Sequence, residues 1–218
     1  MIPQFWRKKA ETYLAAGDLP AAEQILNRLP FTWPTTAPRT HIDLLIFQRQ
    51  FGEALRLLAG VEKERTVQPV FIAVAHSLVG ALYSFKGETT SAKPWLLQAE
   101  REIKELRAKG EQSFALILSL TEVEARLGHR DEVERELDAT FRDRQKDKWG
   151  FPRPEEAATR AYAILGDVDR ALPMLERAIS QSSQWGLTPA ILRFHPTYDS
   201  LRKDPRFQKL AGASAPKL

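Results

Sequence analysis

The sequence predicts an all-helical solenoid of about five helix–turn–helix repeats. The first observation is a short phrase that recurs five times, in which a small or turn-forming residue is followed about five residues later by a small apolar residue. The last residues of the five phrases are Ala22, Ala54, Ala92, Val133 and Ala171. Their intervals of 32, 38, 41 and 38 residues are typical of helical solenoids. The second observation is a helical spacing of apolar residues between the phrases, without the alternation that strands show.

Each phrase is predicted to be a tight corner between two helices. Four of the five contain a glycine, which takes the left-handed conformation that ends a helix without strain from a Cβ. These glycines are Gly17, Gly87, Gly128 and Gly166. Asp18 and Asp167 follow two of them and can accept hydrogen bonds from the free N–H groups of the next helix. The second phrase has Arg49 in the glycine position, so its turn matches the pattern least well.

The segments between the corners have one apolar face. After the third corner, apolar residues recur at steps of four and three, at Ala92, Leu96, Ala99, Ile103 and Leu106. Pro173 lies far enough inside the last predicted helix that we expect a kink there. These patterns define five repeats over residues 4–30, 39–60, 69–108, 111–145 and 154–182, within an array that spans 1–185.

Two proline-rich stretches, Pro30–Pro38 and Gly150–Pro154, predict extended connectors between repeats one and two and between repeats four and five. Trp33, Trp149 and Phe151 lie in or beside these stretches. They either fill gaps between repeats or form exposed anchors for a partner. Both interpretations are compatible with the sequence.

After the array, residues 186–210 predict a C-terminal cap. Asp204 followed by Pro205 is a favourable helix start. The apolar side chains that can cover the last open face of the array are Leu201, Phe207 and Leu210. Residues 211–218 are predicted to form a flexible tail.

The repeats resemble the tetratricopeptide repeat (TPR), whose pattern places an aromatic, a small residue and a tyrosine on the first helix, then Gly-Asp, then an alanine on the second. Repeat one matches with Trp6, Ala10, Tyr13, Gly17-Asp18 and Ala22. Repeat three matches with Gly80, Tyr83, Gly87, Ala92 and Ala99. Repeat five matches with Tyr162, Gly166-Asp167, Ala171 and Ala178, and repeats two and four match less well. The resemblance implies a right-handed solenoid whose first helices line a concave groove for a peptide or another domain.

In that groove, the resemblance assigns thirteen partner-facing positions by register. They are Arg7, Glu11, Arg39, Asp43, Phe47, Ser77, Phe85, Leu118, Glu122, Arg126, Arg153, Glu156 and Arg160. The lysine and asparagine clamp of the family's chaperone-tail binders is absent, since the matching positions hold Glu11, Asp43, Ala81, Glu122 and Arg160. The mixed charges, together with Phe47 and Phe85, imply a partner that has apolar anchors and both signs of charge.

The C-terminal phrase from His195 to Phe207 resembles the end of TPR arrays in bacterial multidomain signalling proteins. In those proteins a winged-helix, kinase or nucleotide cyclase domain often precedes the array. The resemblance implies a non-catalytic protein–protein interaction module, the partner-binding or oligomerising C-terminal part of a bacterial regulator. We expect the chain to be one domain of a longer protein.

The residue inventory favours this interpretation over an enzyme. The chain has no cysteine, and its four histidines are far apart in sequence without paired metal-ligand spacing. No glycine-rich phosphate loop precedes a helix, so we expect no catalytic residue, no cofactor and no metal site. The N-terminus lacks the apolar segment of a signal peptide, and no apolar run is long enough for a membrane span. We therefore expect a cytoplasmic protein without a membrane partner.

Two alternatives remain open at this point. The net charge of +4 allows nucleic-acid binding through Arg101, Lys104, Arg107 and Lys109, although charges of both signs are interspersed along this helix. The other alternative is a self-association or spacer module that forms homo-oligomers through its end faces.

Overall fold

The computed structural model describes residues 3–29, 37–59, 67–146, 154–180 and 187–212, and these residues contain helices and turns without a strand. Within them lie twelve α helices and one 310 helix. Their bounds are α1 Pro3–Ala16, α2 Leu19–Leu26, α3 Ala37–Phe47, α4 Phe51–Leu58, α5 Pro69–Phe85, α6 Thr89–Ala108, α7 Phe114–Leu127, α8 Arg130–Lys146, α9 Pro154–Ile164, α10 Val168–Ser180, α11 Pro189–Phe194, the 310 helix Pro196–Leu201 and α12 Pro205–Gly212. The all-helical prediction is confirmed.

All five predicted corners are present and share one hydrogen bond. In each corner, the residue after the left-handed position donates its N–H to the carbonyl five residues earlier, which is the longer bond of a Schellman motif. The five donors and acceptors are Asp18 and Tyr13 at 2.9 Å, Gln50 and Leu45 at 2.8 Å, Glu88 and Tyr83 at 2.9 Å, His129 and Glu124 at 2.9 Å, and Asp167 and Tyr162 at 2.8 Å. The five corners are therefore geometrically equivalent.

The second corner achieves this geometry without glycine. Arg49 has a φ of 61°, while the corresponding glycines have φ values between 72° and 84°. A side chain in this conformation costs about 1–2 kcal/mol. Packing on both sides of the corner must offset that cost. The salt bridge from Arg49 to Asp199 adds to this stabilisation.

The helices pack as successive hairpins. The helices on either side of each corner contact each other, as α1 with α2 and so on to α9 with α10. The second helix of each hairpin contacts the first helix of the next hairpin, and α1 contacts α3, α5 contacts α7, and α7 contacts α9. Contacts therefore join α1 to α3, and α5 to α7 to α9. The side of the molecule formed by the first helices of the hairpins is what we call the first-helix face.

Small residues bring the helices of each hairpin close together. The markers Ala22, Ala54, Val133 and Ala171 are fully buried, and Ala92 is 2% exposed. In the third hairpin, Gly80 of α5 lies directly against Leu96 of α6. The small residues that recur in the sequence are thus buried within the hairpins.

The C-terminal residues 187–212, which we call the closing segment, pack in two places. Leu201 and Phe207 are buried in the core of the fifth hairpin, and Leu210 packs at its edge. The segment also reaches back to the N-terminal hairpins, where α11 contacts α1 and α3. The cap prediction did not include this second contact.

The predicted connectors lie mostly outside the described residues, as do Trp33, Trp149 and Phe151. At their edges, α3 already begins at Ala37 and α9 begins at Pro154. Helix α12 continues to Gly212, two residues into the predicted tail. Helix α10 continues through Pro173, and the kink there stays a prediction. Within the described ranges, no helix has the length and apolar character that crossing a membrane requires.

Candidate protein-binding face

The structure places twelve of the thirteen predicted partner-facing residues on the first helices of the hairpins. Helix α1 carries Arg7 and Glu11, α3 carries Arg39, Asp43 and Phe47, α5 carries Ser77 and Phe85, α7 carries Leu118, Glu122 and Arg126, and α9 carries Glu156 and Arg160. The remaining residue, Arg153, lies outside the described residues. These positions therefore follow the first-helix face from α1 to α9.

Side-chain contacts connect neighbouring helices of this face. Thr40 of α3 donates a hydrogen bond to Glu11 of α1 at 3.4 Å. The Arg126 guanidinium of α7 lies over the Phe85 ring of α5, 4.6 Å from its centroid. Arg160 of α9 donates to Glu122 of α7 at 3.2 Å. These side-chain contacts thus join α1 to α3, and α5 to α7 to α9.

The charges of the face are paired within the face itself. Four pairs are separated by one helical turn: Arg7–Glu11 at 2.6 Å, Arg39–Asp43 at 3.0 Å, Arg126–Glu122 at 3.8 Å and Arg160–Glu156 at 3.0 Å. Each pair sums to zero charge. A partner therefore meets a patterned but neutral surface, and long-range attraction by net charge contributes little to its binding.

The middle of the face is covered by the closing segment. The His195 ring lies 5.9 Å from the Phe47 ring, 6.0 Å from the Phe85 ring and 6.0 Å from the Tyr198 ring, measured between centroids. Arg126 donates a long hydrogen bond of 3.5 Å to the Thr197 hydroxyl. Tyr198 is fully buried. Residues 195–198 thus occupy the position at which a partner was expected.

The closing segment is attached at both ends of the face. Thr188 donates its hydroxyl hydrogen to the carbonyl of Ala15 at 2.7 Å. Asp199 accepts two hydrogen bonds from the Arg49 guanidinium, at 2.6 and 2.8 Å. The Ser200 hydroxyl donates to the carbonyl of Ala163 in the fifth hairpin at 2.7 Å. The segment therefore connects the first two hairpins to the last one.

This arrangement divides the predicted residues into accessible and covered groups. The side chains of Arg39 and Asp43 are 47% and 32% exposed, whereas that of Arg126 is 7% exposed. Phe47 as a whole is 7% exposed and packs against the closing segment. With the segment in place, a partner can therefore reach the α3 end of the face but not its centre.

Burial changes the protonation of the groups at the centre. Burial and the positive charges of Arg160, Arg126, Arg39 and Arg49 hold the pKa of His195 well below its usual 6.5. Burial raises the pKa of the Tyr198 phenol. The Tyr198 hydroxyl is also buried, and it has no hydrogen-bond partner among the described residues. The centre is thus a place where both rings are held in their neutral forms.

Sequence reasoning missed His195, Tyr198, Arg49 and Asp199 as parts of this site. Asp199 is 150 residues from Arg49 in the chain, and no local pattern marks such a distant pair. The one available signal was the His195–Phe207 phrase, which pointed to a cap and carried no indication of the helices that it contacts.

A cluster of possible metal ligands lies away from this face, at Glu100, Glu124 and His129. The Lys104 ammonium lies between the two carboxylates, 2.5 Å from Glu100 and 2.8 Å from Glu124. His129 contacts the other oxygen of Glu124 at 2.7 Å. Because Lys104 already supplies a cation to these carboxylates, the geometry gives no reason to place a metal ion there.

The basic residues of α6 are partly neutralised. Lys104 is held by the two carboxylates described above, and Arg107 contacts Glu136 at 2.5 Å. Arg101 and Lys109 are exposed. Two of the four cations proposed for phosphate binding are thus paired within the chain, which weakens the nucleic-acid alternative.

The chain was also compared with known proteins. No protein-family model matches it, and no curated protein shows significant sequence similarity to it. The resemblance to TPR arrays therefore depends on the repeat spacing and on the geometry of the corners.

Proposed function

We propose that this chain is a non-catalytic protein–protein interaction module of the TPR type. It is the partner-binding or oligomerising C-terminal part of a bacterial regulatory or signalling protein. The first-helix face takes a peptide or a domain of a partner. The observation that carries this proposal is that the face already holds a non-repeat protein segment, through ring contacts, hydrogen bonds and one salt bridge to Asp199.

The five corners and the order of packing support the TPR assignment. Each corner has the same backbone hydrogen bond, and each hairpin packs against the next. Such units cannot bury an apolar face alone and depend on their neighbours for a core. A right-handed solenoid with a lined groove is the arrangement that this repeat implies.

The accessible end of the face is where we place the partner. The side chain of Arg39 is exposed there and that of its partner Asp43 is partly exposed. On α1, which packs against α3, Phe5 is 63% exposed and can supply an apolar anchor. Exposed ion pairs contribute only about 0–1 kcal/mol each, so they give orientation while apolar contacts give affinity.

A capture experiment tests this proposal. The full chain is immobilised, exposed to an extract of the source organism, and its retained proteins are identified by mass spectrometry. The test variant is Arg39→Glu with Asp43→Arg, which reverses an exposed ion pair and keeps it intact. The matched control is Glu132→Arg with Arg135→Glu, the same reversal at an exposed pair of α8.

We expect the wild type and the α8 control to retain the same protein and the α3 variant to lose it. If the α3 variant retains it as well as the wild type does, the first-helix face is not the binding surface. If the wild type retains nothing above the bare support, the interaction proposal is wrong. Sedimentation of the wild type over a range of concentrations tests the oligomerising role separately.

A further inference from the structure

We propose that His195 controls the docking of the closing segment on the first-helix face, and that protonation of its imidazole releases the segment. The face would then be covered at neutral pH and accessible in acid. This inference concerns the conformation of the chain itself, and it holds or fails independently of the proposed interaction function.

The imidazole of His195 lies between helices α3 and α5. Among the described residues, α3 and α5 share fewer contacts than the other pairs of neighbouring first helices. The His195 ring fills this place, since it packs edge-on against Phe47 of α3 and against Phe85 of α5. Its removal would take away the ring contacts that this residue makes to both helices.

One hydrogen bond fixes the protonation form that can dock. The backbone N–H of Thr197 donates to Nδ1 of His195 at 3.2 Å, where the imidazole caps the start of the 310 helix. Nδ1 must therefore carry a lone pair, and the ring proton is on Nε2. A second proton would turn Nδ1 into a donor that opposes the Thr197 N–H.

The charged surroundings also oppose protonation. The positive charges of four arginines disfavour a charged imidazole: Arg39 on α3, Arg49 in the second corner, Arg126 on α7 and Arg160 on α9. The nearest carboxylates of these elements, Glu122 and Glu156, are bound to Arg160. Asp199 is bound to Arg49 and Arg202, and the Tyr198 phenol is neutral. A cationic imidazole would thus add a positive charge to a buried, arginine-rich place.

The direction of the pH effect follows from linkage. The pKa of His195 is lower in the docked state than in the released state, where it returns to about 6.5. Protons therefore bind the released state preferentially. Docking has its full stability above about pH 6.5, and the ratio of released to docked segment rises up to tenfold for each pH unit below that value.

The clusters of the core show which regions the release would affect. Leu187, Leu192 and Tyr198 belong to the cluster of the fifth hairpin, and Phe194 packs on the cluster of the first two hairpins. The cluster between α5, α6 and α7 contains no residue of the closing segment. Helix α6, whose residues Ala92, Leu96, Ala99 and Ile103 belong to this cluster, is therefore the internal reference for opening that is confined to the segment. Helix α5 is not used as a reference, because its Phe85 packs against His195.

Native-state hydrogen exchange of the full chain tests the inference. The exchange of amides in α11 and the 310 helix is measured between pH 7 and pH 5, corrected for intrinsic rates, in the wild type, His195→Asn and His195→Phe. Asparagine cannot titrate in this range but retains an oxygen that can accept from Thr197. Phenylalanine retains the ring and has no acceptor. The other three histidines are the same in all three proteins, so their contributions cancel.

We expect opening of these amides in the wild type to rise by up to about tenfold per pH unit below 6.5, relative to both variants. Opening of α6 should show no difference between wild type and variants. Two results would overturn the inference. One is an equal pH dependence of the segment in all three proteins. The other is a wild-type response that is as large in α6 as in the segment.

Discussion

The close approach of α5 and α6 allows a sharp prediction about Gly80. A Cβ added at this residue would lie 2.6 Å from Cδ2 and 2.7 Å from Cγ of Leu96, and 3.3 Å from the Leu96 backbone nitrogen. Leu96 is only 3% exposed, so its side chain has no free space into which it can rotate. Gly80→Ala therefore requires the two helices to separate or the buried core to repack.

Two opposing terms set the size of the effect. Alanine stabilises a helix interior over glycine by about 1 kcal/mol, while overpacking a core costs about 1–3 kcal/mol. We expect Gly80→Ala to lower the free energy of unfolding by roughly 0–2 kcal/mol. At Gly52 in α4, an added Cβ would meet nothing within 4 Å. There the same substitution should be stabilising, by up to about 0.5–1 kcal/mol.

Urea unfolding followed by far-UV circular dichroism measures both changes, with the midpoint and slope compared to wild type. A double-mutant cycle with Leu96→Ala identifies the cause. Leu96→Ala alone should cost about 2–5 kcal/mol, and in the Gly80→Ala background it should cost about 1–3 kcal/mol less because the clash has been removed. If Gly80→Ala stabilises the chain as much as Gly52→Ala does, or if the two substitutions at the crossing are additive, the packing argument is wrong.

Three further substitutions test the closing segment by urea unfolding. Tyr198→Phe removes a buried hydroxyl that has no hydrogen-bond partner, so stability should be unchanged or higher by up to about 1 kcal/mol; a loss above that size would show that the hydroxyl is satisfied. Thr188→Ala removes the cap of α11 and the bond to Ala15, and should cost about 1–3 kcal/mol; no loss would contradict that contact. Burial raises the pKa of the Asp199 carboxyl, but hydrogen bonds from Arg49 and Arg202 hold this pKa below 3.8. The charge of Asp199 therefore stabilises the fold above that pH and loses its effect below it. Asp199→Asn should be slightly less stable than wild type near neutral pH, and the two stabilities should converge below pH 3.8. A difference in stability that persists in acid would refute this.

The hairpins could be predicted because their signals are local. A left-handed residue, the hydrogen bond across the corner and the small residue at the helix crossing all lie within about ten residues of each other. Ala22 and Ala171 are two of these small residues, and both are fully buried. Arg49 shows where local prediction fails. It has the same left-handed backbone conformation as the glycines, although its side chain disfavours that conformation. Its corner is maintained by neighbouring packing and a distant carboxylate, which local propensity does not contain.

The occupant of the first-helix face could not be predicted for the opposite reason. Register identified Phe47, Phe85 and Arg126 as residues of one face, because a repeat places equivalent positions on equivalent helices. The residue that covers them, His195, is in a part of the chain outside the repeat. Its contacts join positions more than 100 residues apart, and they depend on how far the array turns between its first and last hairpins. That turn is the sum of small rotations at every hairpin interface, which a single sequence does not specify.

The two attachments of the closing segment have a consequence for the cooperativity of the array. In a repeat array whose units contact only their neighbours, each end can open without affecting the other. Here, the segment that follows the fifth hairpin is bonded to Ala15 of the first hairpin and to Arg49 of the second. Opening at either end must therefore break contacts that also stabilise the opposite end. The chain consequently gains cooperativity between its ends from the same residues that cover its candidate binding face, and any partner that uses the covered part must overcome that coupling as well as the local contacts.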